Sequence, residues 1–239
     1  MALLRRLALP LIVSGVGLVL AVWVGTQELD SIEQRQLNGA TLLEKIVEHL
    51  ELAAAASVVV VVLAVSLGIV LTRPGTRRLA PAVIAVANVG QATPSIGFLV
   101  VGAIVAGIGF DRVLLALVAY SALPVLRNTM VGLQQVDRSL IEAARGLGMS
   151  PTATLLRVEL PLSVPVILAG VRTALVVNVG TATLATFVDG GGLGDTINSG
   201  IRLGRDTVLV TGAVLTAMMA LLLDWVARGA EDLLRPRGL

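Results

Sequence analysis

Few side chains in this sequence could carry out acid–base or nucleophilic chemistry. There is no cysteine and only one histidine, His49, so thiolate nucleophiles, disulfides and sites built from several His or Cys ligands are excluded. No G-x-x-x-x-G-K-[ST] phosphate-binding loop occurs, and the long apolar stretches carry no paired carboxylates. A chain of this kind cannot hydrolyse ATP by itself, and an enzyme would lack a candidate catalytic set.

The side chains that remain for contact with a solute are uncharged polar groups within apolar stretches. They form two groups. The first is Asn88, Gln91 and Thr93, and the second is Asn178, Thr181 and Thr183. In lipid such groups cost free energy and tend to face a cavity, so they predict a polar path through the protein. For the threonines, the alternative is a hydroxyl that bonds to its own helix or to a neighbouring helix.

Composition places these groups in a membrane protein. Hydrophobic residues make up 56% of the 239 residues and charged residues only 14%, against about 25% charged residues in soluble domains. Uncharged runs at 7–25, 52–72 and 207–223 match the roughly 20 residues that a membrane-spanning helix needs. The first run follows Arg5 and Arg6, as in a signal peptide, but its length and the lack of a small-x-small cleavage site favour a retained helix.

The centre of the chain is harder to divide into spans. Between Arg78 and Asp111 lie 32 uncharged residues, which is too long for one simple span and short for two. Pro94 predicts one long helix that is bent or broken near residues 91–95. The next uncharged run, 113–126, is ambiguous because it is short for a span.

The distribution of Arg and Lys resolves that ambiguity and predicts the orientation. With six spans and the N-terminus inside, 12 of the 18 Arg and Lys residues fall on the cytoplasmic side. Five fall outside, namely Arg35, Lys45, Arg112, Arg202 and Arg205, and Arg172 falls at the start of a helix. Because cytoplasmic loops carry the excess of Arg and Lys, we expect six spans with both termini cytoplasmic.

The segment before the second span has a helical pattern. The apolar residues that share one face are Leu43, Ile46, Val47, Leu50, Ala53 and Ala54. Glu44, Lys45, Glu48 and Glu51 lie largely on the other side. This pattern predicts an interfacial helix on the outer surface that leads into the membrane, with His49 as a surface residue on its polar side.

A polar stretch interrupts the apolar sequence between the fourth and fifth spans, and its first half predicts a capped helix. Ser139 and Glu142 have the spacing of a capping box, with Asp137 as a second possible cap. Gly146 and Gly148 supply the helix stop, where a left-handed residue is favoured.

The second half of the stretch predicts another helix. Ser150 is its expected cap and Pro151 its first residue, and Pro161 and Pro165 are expected to end it before the fifth span. We refer to residues 137–161 as the module. Its helix–turn–helix form suits a rigid peg that docks in a groove of another protein, and a well-capped ordinary loop is the alternative.

The module resembles the EAA loop of binding-protein-dependent ABC importer permeases. The matching residues are Glu142, Ala143, Ala144, Gly148, Val158, Leu160 and Pro161. Three residues separate Ala144 from Gly148 and nine separate Gly148 from Val158, and only Val158 departs from the usual pattern, which has isoleucine. In that family the loop is a coupling helix that inserts into a cleft of a cytoplasmic ATPase.

The resemblance extends over about residues 42–228 and implies a fold and partners. The expected fold is all-α, with about six transmembrane helices in the type I ABC importer permease arrangement and one permease domain over residues 1–239. Expected partners are the ATPase, an extracytoplasmic substrate-binding protein, membrane lipid and a second permease subunit, which is the same chain or a sister chain. ATP and Mg belong to the ATPase, so no cofactor, metal or nucleic acid is expected here.

Two further resemblances concern the outer side and the solute. The residues of "GGGLGD", which are Gly190, Gly191, Gly192, Gly194 and Asp195, resemble an external plug that packs against a docked binding protein; a flexible loop is the alternative. "NVGTATLA", which starts at Asn178, resembles the branch that imports osmoprotectants such as glycine betaine, choline and carnitine.

Alternatives to an osmoprotectant importer remain at this point. One is an ABC importer of methionine or another small zwitterion. Another is a secondary transporter, which the lack of acidic or histidine side chains at the midpoints of the central spans disfavours. With two Trp, one Tyr and three Phe in the whole chain, a tight aromatic cage for a quaternary ammonium group is not expected, and selectivity would reside in the binding protein.

Overall fold

The computed structural model describes residues 2–234, and every regular element in that range is helical. The α-helices are α1 (Ala2–Gly25), α2 (Ser31–Gln36), α3 (Gly39–Thr72), α4 (Ala80–Ala92), α5 (Ser95–Ala106), α6 (Phe110–Gln134), α7 (Arg138–Gly146), α8 (Pro151–Thr154), α9 (Leu160–Ala182), α10 (Leu193–Leu203) and α11 (Asp206–Leu234). Two 3₁₀ segments, Arg77–Leu79 and Thr183–Val188, and a π-helical segment, Leu155–Glu159, complete the described range. Arg235 and Arg237, which the charge distribution counts as cytoplasmic, lie outside it.

The helices long and apolar enough to cross a membrane agree with the six expected spans. Five such stretches are present, namely Leu7–Gly25, Gly39–Thr72, Phe110–Gln134, Pro151–Val188 and Asp206–Leu234. The broken pair Arg77–Ala92 and Ser95–Val105 makes a sixth if it is one span. The break falls at Thr93 and Pro94, as predicted, because proline lacks the N–H that a continuous helix requires. The short fourth run lies within the 25 residues of α6.

The chain forms two compact units. The first contains the residues up to Ala56 together with Thr93–Val118 and Leu175–Trp225. Its core includes Ala53, Val179, Leu193 and Met219, which are buried against one another. These residues belong to α3, α9, α10 and α11, respectively. Because Leu193 follows directly after Gly192, the glycine-rich sequence before α10 leads into this core rather than projecting from it.

The second unit contains Ser57–Ala92, Ala119–Ala174 and the residues after Trp225. Small residues bring its helices close together. A Cβ on Gly68 would lie 2.8 Å from the side chain of Thr129, and a Cβ on Gly170 would lie 2.7 Å from the carbonyl oxygen of Pro124. Helices in lipid associate through such close backbone packing, which makes α3, α6 and α9 a tight group within this unit.

His49 is buried, so the prediction of a surface histidine is wrong. Its side chain is 0% exposed, and its Nε2 lies 2.9 Å from the carbonyl oxygen of Val179. On the same helix, Leu43 and Leu50 of the predicted apolar face are 62% and 40% exposed. The buried face of α3 is therefore rotated from the one that the pattern indicated. In a membrane protein, apolar residues can face outward and polar ones turn inward, where they find hydrogen bonds.

Arg172 also differs from its expected position. It lies in the middle of α9 rather than at the start of a helix, because α9 begins further upstream than the charge pattern suggested. Its Nη1 lies 3.1 Å from Oε2 of Glu231. This ion pair joins α9 to α11 within the second unit.

Candidate coupling module and glycine loop

The module begins with a helix cap at Asp137. The carboxylate of Asp137 accepts the backbone N–H of Ser139 at 2.8 Å, and this hydrogen bond holds the pKa of Asp137 below its ordinary value of 3.8. Ser139 is the second residue of α7, so the capping box expected between Ser139 and Glu142 is not formed and the second candidate cap is the actual one. Ionised Asp137 stabilises the positive end of the helix.

The turn after α7 has the hydrogen bonds of a Schellman motif. The N–H of Gly148 donates to the carbonyl of Arg145 at 2.9 Å, and the N–H of Met149 donates to that of Ala144 at 3.1 Å. Gly148 has φ of +83°, the left-handed conformation that this motif requires and that glycine adopts without strain. Gly148 therefore fits its predicted role, whereas Gly146 is an ordinary last residue of α7.

The second half of the module starts as expected but does not stop where expected. The hydroxyl of Ser150 accepts the N–H of Ala153 at 3.2 Å, with Pro151 in the first helical position. The helix then continues through the π-helical segment into α9, so Pro161 and Pro165 lie inside helical structure. The prediction that these prolines end a short helix is wrong.

A π-helical segment lies just before Pro161 in this continuous helix. The N–H of Leu160 donates to the carbonyl of Leu155, five residues earlier, and the hydroxyl of Ser163 donates to the carbonyl of Glu159 at 2.7 Å. Pro161 and Pro165 have no N–H to donate, so the carbonyls four residues before each of them have no regular α-helical donor.

The matched motif residues divide into an exposed part and a packed part. Glu142, Ala143 and Gly148 are exposed, whereas Ala144 is buried. Val158, Leu160 and Pro161 are half-buried. Beside the exposed part, Leu147 is 83% exposed and Leu140 is 48% exposed. The module thus presents charged and apolar side chains around a turn whose backbone is fixed by its own hydrogen bonds.

A part-buried ion pair connects the module to the end of α3. Nη2 of Arg73 lies 2.7 Å from Oε2 of Glu159, and Nη1 lies 3.3 Å from Oε1. Glu159 is only 5% exposed. Sequence reasoning missed this pair because its members are 86 residues apart; the available signal was a carboxylate in the apolar sequence just before Pro161.

The glycine loop, residues 190–195, is held by the polar side of α3. Oε2 of Glu48 accepts the backbone N–H of Gly192 at 2.8 Å. Lys45 lies 2.9 Å from Glu48 and 2.9 Å from Asp195, so it bridges the two carboxylates. Lys45 and Glu48 were predicted only as solvent-facing charges, and nothing local in the sequence indicated their partners.

Glycine is needed in this loop for conformation and for space. Gly191 and Gly192 have φ of +72° and +83°. A Cβ on Gly194 would lie 2.1 Å from the carbonyl oxygen of Thr183, and one on Gly190 would lie 2.6 Å from the Cβ of Ala185. The loop is therefore fitted closely against α3 and the 3₁₀ segment Thr183–Val188.

The first group of predicted path residues is bound to α6. The side-chain amide of Gln91 donates to the carbonyl of Tyr120 at 3.0 Å, and Nη2 of Arg127 donates to Oδ1 of Asn88 at 2.8 Å. Asn88 and Gln91 are three residues apart and share one face of α4. Thr93 lies in the break between α4 and α5.

The second group makes contacts within or beside its own helix. Asn178 is 0% exposed. The hydroxyl of Thr181 donates to the carbonyl of Val177 at 2.7 Å, and that of Thr183 donates to Gly180 at 2.6 Å. For these two threonines the geometry matches the alternative of bonding to the backbone of their own helix.

Comparison with known proteins assigns the family. The model of the binding-protein-dependent transport system inner membrane component family matches residues 64–237. This chain belongs to that family. It is therefore a multi-pass, non-catalytic permease subunit of an ABC importer, as the EAA-like spacing predicted.

Several curated permeases are similar to this permease over most of their length. The choline transport system permease protein OpuBB of Bacillus subtilis (strain 168) is 41% identical, covering 85% of this chain and 93% of that protein. Its counterpart OpuBD from the same organism is 37% identical, covering 84% and 90%. The carnitine transport permease protein OpuCD of Listeria monocytogenes serotype 1/2a (strain 10403S) is 37% identical, covering 86% and 92%.

A solved structure supports the type I permease fold. In the inward-facing MetNI methionine ABC transporter, the matching chain has a TM-score of 0.73 and 23% identity, covering 87% of this permease and 100% of that chain. At this identity the likeness concerns the fold. The prediction of an all-α type I permease fold with about six apolar helices is confirmed.

Proposed function

We propose that this permease forms the membrane path for a quaternary-amine osmoprotectant such as glycine betaine, choline or carnitine. The observation that carries the proposal is the identity of 37–41% with permeases named for choline and carnitine transport. The sequence contains only six aromatic residues, which supports selection of the solute by a separate binding protein. The permease supplies a weakly binding conduit, for which Asn88, Gln91, Thr93, Asn178, Thr181 and Thr183 are the candidate lining residues.

The module is the proposed docking element for a cytoplasmic ATPase. Its support is a turn that is fixed by two backbone hydrogen bonds, with Leu147 83% exposed beside it. A preformed turn loses little conformational freedom on docking, and an exposed apolar side chain gains from burial in a cleft. Glu142, Ala143 and Gly148 form the exposed part of this surface, and Val158, Leu160 and Pro161 attach it to α9.

The glycine loop is the proposed contact for the substrate-binding protein outside the cell. The orientation that this requires, with both termini cytoplasmic, is supported by the excess of Arg and Lys on the side of the module. OpuBB and OpuBD share the name of one transport system, which supports pairing of this permease with a sister permease.

Uptake measurements test the solute assignment and the module together. Cells express the permease with its neighbouring ATPase and binding protein, and uptake of labelled glycine betaine, choline and carnitine is compared for wild type and Gly148→Asp. We expect ATP-dependent uptake of at least one solute by wild type, which the variant loses. If none is taken up while the ATPase still co-purifies, the osmoprotectant assignment is wrong, and labelled methionine is the next solute to test. Normal uptake by Gly148→Asp would contradict the role of the module.

A further inference from the structure

The ion pair between Arg73 and Glu159 has a geometry that surface ion pairs seldom have. Two nitrogen–oxygen contacts, at 2.7 and 3.3 Å, join the guanidinium to both carboxylate oxygens. Such a two-point contact fixes the relative orientation of the two side chains as well as their separation. The side chain of Glu159 is only 6% exposed and that of Arg73 is 34% exposed, so salt screens the pair less than a fully exposed pair.

Arg73 is itself anchored to the end of α3. Its Nε lies 3.3 Å from the carbonyl oxygen of Ile69, and its Nη2 lies 3.2 Å from the hydroxyl of Thr72. The guanidinium therefore closes the last turn of α3 while it binds Glu159. A displacement of Glu159 cannot occur without moving the last turn of α3 or breaking this set of hydrogen bonds.

Glu159 lies at the end of the module that joins α9. It is the last residue of the π-helical segment, between Val158 and Leu160 of the matched motif. A buried carboxylate is costly unless it is paired, and Arg73 is the partner that the structure provides. The end of the module at Glu159 is thus attached to α3 through Arg73 as well as to α9 through the backbone.

We infer that Arg73 and Glu159 are positioning residues that transmit movement of the module to α3. This inference rests on the proposed docking of the ATPase at the module. The pair does not contribute to the exposed docking surface around Gly148, and its role is to make α3 follow the module when the ATPase moves it. Loss of the pair should leave the ATPase bound and active while less solute is moved for each ATP hydrolysed.

A second ion pair of the same unit provides a matched control. Arg172 and Glu231 join α9 to α11 at 3.1 Å, with side-chain exposures of 24% and 27%. It has the same charges, and it does not involve the module. Arg172→Gln removes an interhelical ion pair of the second unit without touching the proposed transmission contact.

The experiment measures solute uptake and ATP hydrolysis in proteoliposomes that contain the whole importer and its binding protein. The solute is whichever of labelled glycine betaine, choline or carnitine the wild type transports. Glu159→Gln keeps the size of the side chain and removes its charge, and Arg73→Lys keeps the charge but cannot reproduce the two-point contact. Co-purification of the ATPase is measured for every variant.

For Glu159→Gln we expect uptake per ATP to fall about tenfold, within the usual range of coupling between sites, with the ATPase still bound. Arg73→Lys should give a smaller fall in uptake per ATP hydrolysed, and Arg172→Gln should keep the wild-type value of that ratio. The charge-exchanged double variant Arg73→Glu/Glu159→Arg should recover part of the loss, which a general loss of stability would not.

Distinct outcomes separate this inference from the proposed function. Failure of the wild-type permease to retain the ATPase or to take up any of the three solutes would contradict the proposed function. A wild-type ratio in Glu159→Gln, or a loss of ATPase binding in it, would overturn the transmission role alone. If Glu159→Gln does not accumulate in the membrane, Arg73→Lys decides, and an unchanged ratio there overturns the inference.

Discussion

Replacing Gly148 with alanine should weaken docking of the ATPase without unfolding the permease. Gly148 has φ of +83°, yet no atom lies within 4 Å of the position that a Cβ would occupy. The substitution therefore introduces backbone strain but no clash. A left-handed conformation costs an L-residue roughly 1–2 kcal/mol, and a free-energy change of that size alters an equilibrium constant about 5- to 30-fold.

Gly146 provides a control with the same chemical change. No atom lies within 4 Å of its Cβ position either, but it is the last residue of α7 and does not have positive φ. Alanine there should be neutral or slightly stabilising, because glycine is about 1 kcal/mol less favourable than alanine in a helix. Gly148→Asn separates strain from side-chain size, since asparagine tolerates the left-handed region better than alanine.

The assay is titration of the permease in lipid nanodiscs with a fluorescently labelled ATPase subunit. We expect the Kd to rise about 5- to 30-fold for Gly148→Ala, less for Gly148→Asn, and not at all for Gly146→Ala. Hydrogen exchange of the Met149 amide, which bonds to Ala144 at 3.1 Å, reports whether the turn itself has loosened. Equal Kd values for the three variants would refute the argument that the left-handed turn matters for docking.

Three further substitutions test other parts of the structure. Gly194→Ala should lower the free energy of unfolding of the purified permease by about 1–3 kcal/mol, because its Cβ would lie 2.1 Å from the carbonyl oxygen of Thr183. Asp137→Ala should speed hydrogen exchange in the first turn of α7 at pH 7. The pKa of Asp137 is lowered by its backbone hydrogen bond, so the cap is complete above the ordinary carboxyl pKa and is lost only as the pH falls through the lowered value. His49→Leu should lower the free energy of unfolding by about 1 kcal/mol, because the hydrogen bond to Val179 is lost.

Each of these substitutions has a control. Gly180→Ala adds a methyl group inside α9 where no atom lies within 4 Å, so the free energy of unfolding should be unchanged or slightly raised. Asp137→Asn keeps a side-chain oxygen that can cap the helix, and its exchange rates should stay near wild type at pH 7. His49→Gln keeps an N–H donor and should recover part of the lost stability. A control that behaved like its partner substitution would contradict the stated cause.

Local signals in the sequence were sufficient to predict the spans and most of the module. The break at Pro94, the cap at Ser150 and the left-handed Gly148 each depend on the backbone chemistry of one or two residues. Such preferences act within a few residues and need no knowledge of the tertiary structure. The choice between Asp137 and Ser139 as the cap was left open because both side chains can accept the same kind of hydrogen bond.

Long-range contacts could not be predicted from these patterns. His49 was expected on the surface because the polar side of its helix was taken to face water. Helical periodicity indicates the buried side of a helix only where water covers the other side. The partners of Glu48 and Glu159 lie 144 and 86 residues away along the chain, beyond any local rule. The sequence pattern treats Pro161 as a helix stop, whereas in the structure a π-helical segment precedes it and the helix continues.

The π-helical segment Leu155–Glu159 changes how positions on the two sides of it are compared. An α-helix turns about 100° per residue, and one π turn takes up about one residue more than an α turn. A single helical wheel drawn from Pro151 to Ala182 would therefore assign one side of the segment to a face that is wrong by about 100°. Cysteine pairs for cross-linking the module, or co-varying positions in related permeases, have to be chosen from two separate wheels that meet at this segment.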